Sequence, residues 1–235
     1  MNDRNFYDLH VAFESNRKLM IERAQELELR GICFVHSYAS DSELESYLDE
    51  IRQLKEKTSL DLITGVMVSG DEMEKTAKKI RRSVELIFAY GGDYKANRTA
   101  CSSDYIDILS CPERGRRDCG LDHVCCKDAR EHDTFIEINF SQALNSHGFR
   151  RLRQLYLMKE AVRLCTKTQT PFIVNSGARN IWELRGGREL SSLSCVLGAG
   201  LYPSLVANSE AAEKLIAKNR QKFKMILKGV VIQNE

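Results

Sequence analysis

Short apolar runs alternate along the chain with longer amphipathic stretches. Seven runs, at 6–11, 31–36, 60–68, 84–89, 105–109, 135–140 and 171–175, are apolar throughout most of their length and bounded by turn or charge signals. That is the pattern of strands buried on both faces. Between them the period changes to that of helices: Met20, Ile21, Ala24 and Leu27 share one face, and Leu155, Met158, Val162 and Cys165 share another. Ser40-Asp41-Ser42-Glu43 and Gly70-Asp71-Glu72 place acids where helix N-termini favour them. Seven β/α alternations predict a parallel sheet, and closing it into a barrel satisfies both edges. The expected fold is therefore an α/β, TIM-like β/α barrel, irregular at its last strand. The eighth strand is obscure; 201–207 is the candidate, followed by a helix over 209–224 and a final apolar run at 229–232.

Length fits this reading. The chain has 235 residues, close to the roughly 250 of a single barrel. Only three prolines occur and no linker-like segment interrupts the pattern, so one domain over 1–235 is expected. Hydrophobic residues make up 43% and charged residues 29%. No apolar run approaches the ~18 residues of a membrane span. The strand-like Phe6-Tyr7-Asp8-Leu9 leaves no room for a signal peptide, and a cytoplasmic protein is expected. Of eight cysteines, Cys33 and Cys165 read as small core residues. Cys111, Cys119, Cys125 and Cys126 with His123 form a local cluster, but their spacings match no structural zinc pattern, which favours free thiols.

Net charge is only +2, yet it is unevenly spread. Residues 1–93 carry 13 basic and 18 acidic side chains, residues 145–235 carry 15 basic and 6 acidic, and 214–228 holds six basic residues without an acid. Such a bias suits a phosphate backbone, although a lysine-rich solvated helix face would look the same.

In a β/α barrel the loops after the strand C-termini form the functional rim. Here they carry His10, His36, Gly91-Gly92-Asp93 with Asn97-Arg98, the segment from Cys111 through Asp118, Ser141, and Ser176-Gly177-Ala178-Arg179; Arg185-Gly186-Gly187-Arg188 lies further along. Several loops thus bring arginine to one end, and its planar fork of donors matches phosphate oxygens. A rival chemistry is metal-dependent phosphoester hydrolysis. Asp8-Leu9-His10 and His36 resemble the start of the polymerase-and-histidinol-phosphatase barrels, which use an H-x-H pair on the first strand. Here the second position is Ala12, and five histidines with no carboxylate-rich loop do not assemble a two- or three-metal site.

Longer stretches carry a more specific resemblance. Gly91-Gly92-Asp93 to Asn97-Arg98, Asp107-Ile108-Leu109, and Gly115-Arg116-Arg117-Asp118-Cys119-Gly120-Leu121-Asp122-His123-Val124 look like ribonuclease P protein component three, the thirty-kilodalton subunit family of archaea and eukaryotes. Ile136-Glu137-Ile138-Asn139, the segment from Pro171 to Arg179, Trp182-Glu183-Leu184-Arg185 and Arg188-Glu189-Leu190 continue the match in order, and the absence of a long tail points to the archaeal type. The resemblance implies a TIM-like barrel related to metal-dependent phosphoesterases whose metal ligands are largely gone. It implies a subunit that helps a catalytic RNA remove the 5′ leader from precursor tRNA. Magnesium ions on the RNA would perform the hydrolysis, with no catalytic or metal-binding residue and no cofactor on this chain. Partners would be the ribonuclease P RNA, precursor tRNA indirectly, a small ferredoxin-like ribonuclease P protein in two copies with two of this chain, and other ribonuclease P proteins. Arg98, Arg114, Arg116, Arg117, His123, Arg179, Arg185 and Arg188 are the expected RNA-binding residues. Cys111, Cys119, Cys125, Cys126 and His10 depart from the commonest pattern, and His10 with His36 leaves open a vestigial metal site.

Overall fold

Each apolar run becomes a parallel strand flanked by helices, because side chains on both faces must leave water. The computed structural model describes residues 4–14, 16–227 and 230–231. Strands β1 (Tyr7–Ala12), β2 (Gly31–Ser37), β3 (Asp61–Val68), β4 (Leu86–Tyr90), β5 (Ile108–Ser110), β6 (Phe135–Asn139) and β7 (Phe172–Asn175) form one sheet in sequence order. Helices α1 (Arg17–Glu26), α2 (Asp41–Lys55), α3 (Met73–Ile80), α4 (Tyr94–Cys101) and α5 (His123–Glu131) each follow a strand. After β6 come the short α6 (Phe140–Leu144) and the long α7 (Gly148–Thr168). Ser40 caps α2 as its sequence suggests, its hydroxyl accepting from the Glu43 N–H at 3.3 Å.

The sheet curls into a nearly closed, TIM-like barrel. Tyr7, Leu9, Cys33, Val35, Ile63, Leu86, Phe88, Ile108, Phe135 and Ile173 fill its interior, and the alternate positions pack outward against the helices. After β7 the chain departs from expectation. The segment expected as an eighth strand is the helix α9 (Leu201–Ala207), preceded by α8 (Gly187–Val196). Pro203 lies inside that segment and lacks the N–H a central strand needs, whereas the first turn of a helix leaves that group unused.

Among the described residues no eighth strand joins this sheet, and the seam between β7 and β1 is stitched rather than laddered. A single isolated bridge among the described residues pairs Val11 with Ala178, the Ala12 N–H donating to the Ala178 carbonyl at 2.9 Å. Elsewhere side chains replace a strand: Asn175 Oδ1 accepts from the Leu9 N–H at 3.0 Å, and Asp8 Oδ1 from the Ser176 N–H at 3.1 Å. Asn208 bonds the backbone of Val174 through its side-chain amide, while its backbone carbonyl accepts from the Tyr7 N–H.

Helix α10 (Glu210–Lys224) closes the N-terminal mouth of the barrel, its Ala212, Leu215 and Ile216 packing into the interior cluster. Two of its basic residues are used there. Arg220 pairs with Asp61 at 2.7 Å and Glu85 at 2.6 Å, and Lys218 with Asp133 at 2.6 Å. The basic run thus lies at the end away from the strand C-termini and is partly neutralised within the chain. A two-stranded ribbon follows, β8 (Met225–Leu227) with β9 (Val230–Val231); the rest of the 229–232 run lies outside the described residues. Among the described residues no helix is long and apolar enough to cross a membrane.

Candidate nucleic-acid interface

At the C-terminal end of the barrel the interior turns from apolar to polar, and one irregularity begins the change. Between Asp8 and Val11, β1 advances three residues while β2 advances two, a β-bulge. Leu9 and His10 consequently both face inward, the His10 ring lying 5.3 Å from that of Phe88. Beneath the rim sits Glu137, 1% exposed. Its carboxylate accepts from His10 Nδ1 at 2.8 Å, Asn175 Nδ2 at 2.7 Å, Asn139 Nδ2 at 3.4 Å and the Ser110 hydroxyl. Burial pushes the Glu137 carboxyl up, but the His10 charge and these donors hold it below its usual value. Burial likewise pushes His10 down, and the adjoining Glu137 carboxylate reverses this and raises it. Each group thus favours the charged form of the other. Asp8, facing the seam, has no such counterion: burial lifts it to about 6 despite hydrogen bonds from Ser176, and its Oδ2 lacks a partner.

This network forms the wall of a cavity of about 440 Å³ on the barrel axis, bordered by Tyr90, Ser110, Ser141, Gly177 and Arg179 among others. Gly177 has φ +61, and a Cβ there would lie 2.2 Å from Asn139 Oδ1, so only glycine lets this turn close over the network. His36 does not join it. Its ring points outward, stacked on Tyr47 at 5.3 Å and edge-on to Phe13 at 5.7 Å, because strand alternation sends it to the opposite face from Val35. The described residues hold no group of three metal-ligating side chains suitably placed. The cysteines regroup as well. Cys101 neighbours Cys125 and Cys126 neighbours Cys165, whereas His123 is exposed and Cys111 faces the axial cavity.

The arginines of the β5–α5 loop stand beside this mouth. Asn97, fully buried, shapes that loop by donating to the carbonyls of Pro112 at 2.9 Å and Gly120 at 2.8 Å while accepting from the Gly92 N–H. Arg114 lies 4.2 Å over the Tyr90 ring, Arg116 forks onto Asp118 at 2.6 and 3.0 Å, and Arg117 is exposed. Arg150 and Arg153, on the first turns of α7, complete a depression of about 300 Å³ with Arg114 and Arg116. Arg153 donates to the Arg116 carbonyl at 2.5 Å. Sequence reasoning missed these two, although Arg150-Arg151-Leu152-Arg153 was a visible signal: cations at a helix N-terminus oppose its dipole, and the first turn of α7 has no acid.

The remaining expected residues are dispersed. Arg98 ties α4 to α5, 3.9 Å from Asp122 and 4.0 Å from Asp128. Arg185 is held by the Trp182 and Leu184 carbonyls over the Phe140 ring. Arg179 is exposed at the axial cavity, its backbone N–H donating to Glu183. Arg188 is separated from them. The preceding Gly186 and Gly187 lie against Leu27 and Phe6, which lead into β2 and β1, so it stands toward the N-terminal end.

Residues 5–224 match the family described as RNase P subunit p30. Among curated relatives, ribonuclease P protein component 3 of Methanothermobacter thermautotrophicus is 29% identical over 89% of this chain and 85% of its own length. That of Methanocaldococcus jannaschii is 31% identical over 77% and 79%. A chain in the cryo-EM structure of archaeal ribonuclease P with mature tRNA superimposes over 97% of this chain and 98% of its own, with a TM-score of 0.81 and 28% identity. Metal-dependent tyrosine phosphatases of Bacillus subtilis and Streptococcus pneumoniae share the fold, at TM-score 0.58 and 18% identity.

Proposed function

The chain belongs to the ribonuclease P p30 family, and from that premise we propose that it is a protein subunit of ribonuclease P, assisting a catalytic RNA in the removal of 5′ leaders from precursor tRNA. The observation that carries this reading is the near-complete superposition on a chain of archaeal ribonuclease P bound to tRNA. The alternative, an autonomous metal phosphoesterase, is disfavoured by the outward turn of His36 and by Ala12 where an H-x-H pair would need its second imidazole.

In this reading Arg114, Arg116, Arg117, Arg150 and Arg153 form the main phosphate-binding surface, with Arg179 at the axial mouth. Guanidinium forks bind backbone phosphates and release counterions, fixing the RNA without reading its sequence. Arg98, Arg185 and His123 lie around this surface, and Arg188 contributes from another side. Hydrolysis belongs to magnesium ions held by the RNA. A small ferredoxin-like ribonuclease P protein, two copies with two of this chain, is the proposed protein partner. Phe149, Leu152 and Tyr156, 89%, 66% and 60% exposed along one face of α7, support a protein contact next to the RNA surface.

Reconstitution tests the reading: precursor-tRNA cleavage by the RNA and the other proteins should fall sharply when this chain is omitted. Unchanged cleavage would overturn it. Light scattering of the chain with its small partner tests the two-plus-two stoichiometry.

A further inference from the structure

Arginine is not the only charged residue bordering the depression between the β5–α5 loop and α7. Glu113 borders it too, at the start of the turn that carries Arg114 and Arg116, the Arg116 N–H donating to the Glu113 carbonyl at 3.0 Å. Its side chain is drawn in against α7. The residue is 9% exposed, and its Oε1 accepts from Gln154 Nε2 at 2.5 Å. The nearby cations are engaged elsewhere: Arg114 lies over Tyr90, Arg116 forks onto Asp118, and Arg153 donates to the Arg116 carbonyl. Among the described residues no guanidinium pairs with Glu113. An acid set among arginines ordinarily forks with one of them. This one is buried without a counterion.

Burial pushes the Glu113 carboxyl above its ordinary 4.5 and the Glu137 charge on β6 adds to this, while hydrogen bonds from its own N–H and from Gln154 offset part of the rise. Among the described residues bordering the depression it is the one group that titrates below neutrality. The arginines stay charged throughout, and Gln142 on α6 and Gln154 on α7 are neutral. A phosphate seated among the arginines brings a negative charge to the same place, which a Glu113 carboxylate repels. A proton on the carboxyl removes that repulsion and supplies a donor, while the carbonyl oxygen of the acid still accepts from Gln154. Phosphate binding and proton uptake therefore favour one another.

We propose, resting on the reading of this depression as a phosphate-binding surface, that Glu113 sets its affinity: the carboxyl takes up one proton from solvent when an RNA phosphate is seated among Arg114, Arg116, Arg150 and Arg153, so RNA is held more tightly as pH falls. Four fixed positive charges supply the attraction, and one buried acid in their midst makes it depend on pH.

Binding of ribonuclease P RNA to the full-length chain, measured at constant ionic strength from about pH 8 down to about pH 5, tests this. Wild-type affinity should rise across that range by about tenfold for each unit that the bound phosphate adds to the carboxyl's pKa. Glu113→Gln keeps an acceptor for Gln154 and lacks the charge. It should bind more tightly than wild type at the alkaline end, with the gap closing as pH falls. An unchanged pH dependence in Glu113→Gln assigns the proton to another group, and weaker binding at the alkaline end makes Glu113 a tie between the loop and α7; either overturns the proposal. Calorimetry of the wild type in two buffers of different ionisation enthalpy reads the proton directly and needs no variant to fold. Net uptake on binding is expected, and none overturns the proposal. Salt-dependent binding without proton uptake brings down only the role of Glu113, whereas loss of salt-dependent binding at every pH brings down the arginine surface with it.

Discussion

The side-chain amide of Asn208 stands in for a strand beside Val174: its Oδ1 accepts from the Val174 N–H at 3.4 Å and its Nδ2 donates to the Val174 carbonyl. One fully buried side chain thereby satisfies two backbone groups that an eighth strand would have paired. Replacing it leaves a buried donor and a buried acceptor without partners. Asn208→Ala should cost about 2–4 kcal/mol in urea denaturation. Asn208→Asp, of the same size, should not restore stability, because a carboxylate cannot donate to the carbonyl. Stability within about 0.5 kcal/mol of wild type would show that the seam does not depend on this amide.

Asp8 should make the protein less stable as pH rises. Its folded pKa, about 6, lies above the ordinary 3.8 because burial disfavours the charged form. The folded state therefore holds the extra proton between these values, and stability is lost as pH climbs through them. At neutral pH the cost is about 3 kcal/mol. Asp8→Asn retains the acceptor facing Ser176 and removes the charge. Its melting temperature should exceed wild type at pH 7.5, with the gap closing below pH 4. A pH-independent difference would assign the effect to packing.

Replacing Arg150 and Arg153 together with glutamine should reduce the salt dependence of RNA binding, by about one unit of log–log slope for each phosphate no longer neutralised. Arg179→Ala should lower activation of the RNA while changing stability by about 0.5 kcal/mol or less, since the residue is exposed. Arg116→Ala should do both, because the guanidinium also ties the loop to Asp118 and the Gly92 carbonyl. Lysine at 179 should recover only part of the activation, having charge without the fork. Affinity that stays flat between low and moderate salt would exclude the arginine surface as the place where RNA binds.

The isolated chain should not cleave precursor tRNA with any divalent metal. His36 faces the α2 layer and Ala12 supplies no ligand, so the described residues bring no further metal-ligating side chain to His10 and Glu137. Cleavage that co-elutes with the protein and disappears in His10→Ala would reverse this assignment.

Seven strands, their order and the parallel barrel follow from local sequence, because a strand buried on both faces is apolar at successive positions and needs no distant partner to be recognised. The arginines at 114, 116, 117 and 179 are legible too, since a loop after a parallel strand can only emerge at one end. What the sequence determines by itself ends where side-chain direction and long-range placement begin. The bulge at Leu9-His10 reverses one residue's facing, and strand alternation turns His36 away from the site that its sequence neighbours suggested. Glu137 reads as one polar residue in an apolar strand until the fold surrounds it with donors from β1, β5, β6 and β7. Arg150 and Arg153 meet Arg116 only because α7 packs beside the β5–α5 loop, and the basic run of α10 is drawn to acids at the opposite mouth. Those pairings join residues tens of positions apart, so only the tertiary structure, which fixes such distances, decides between a binding surface and an internal ion pair.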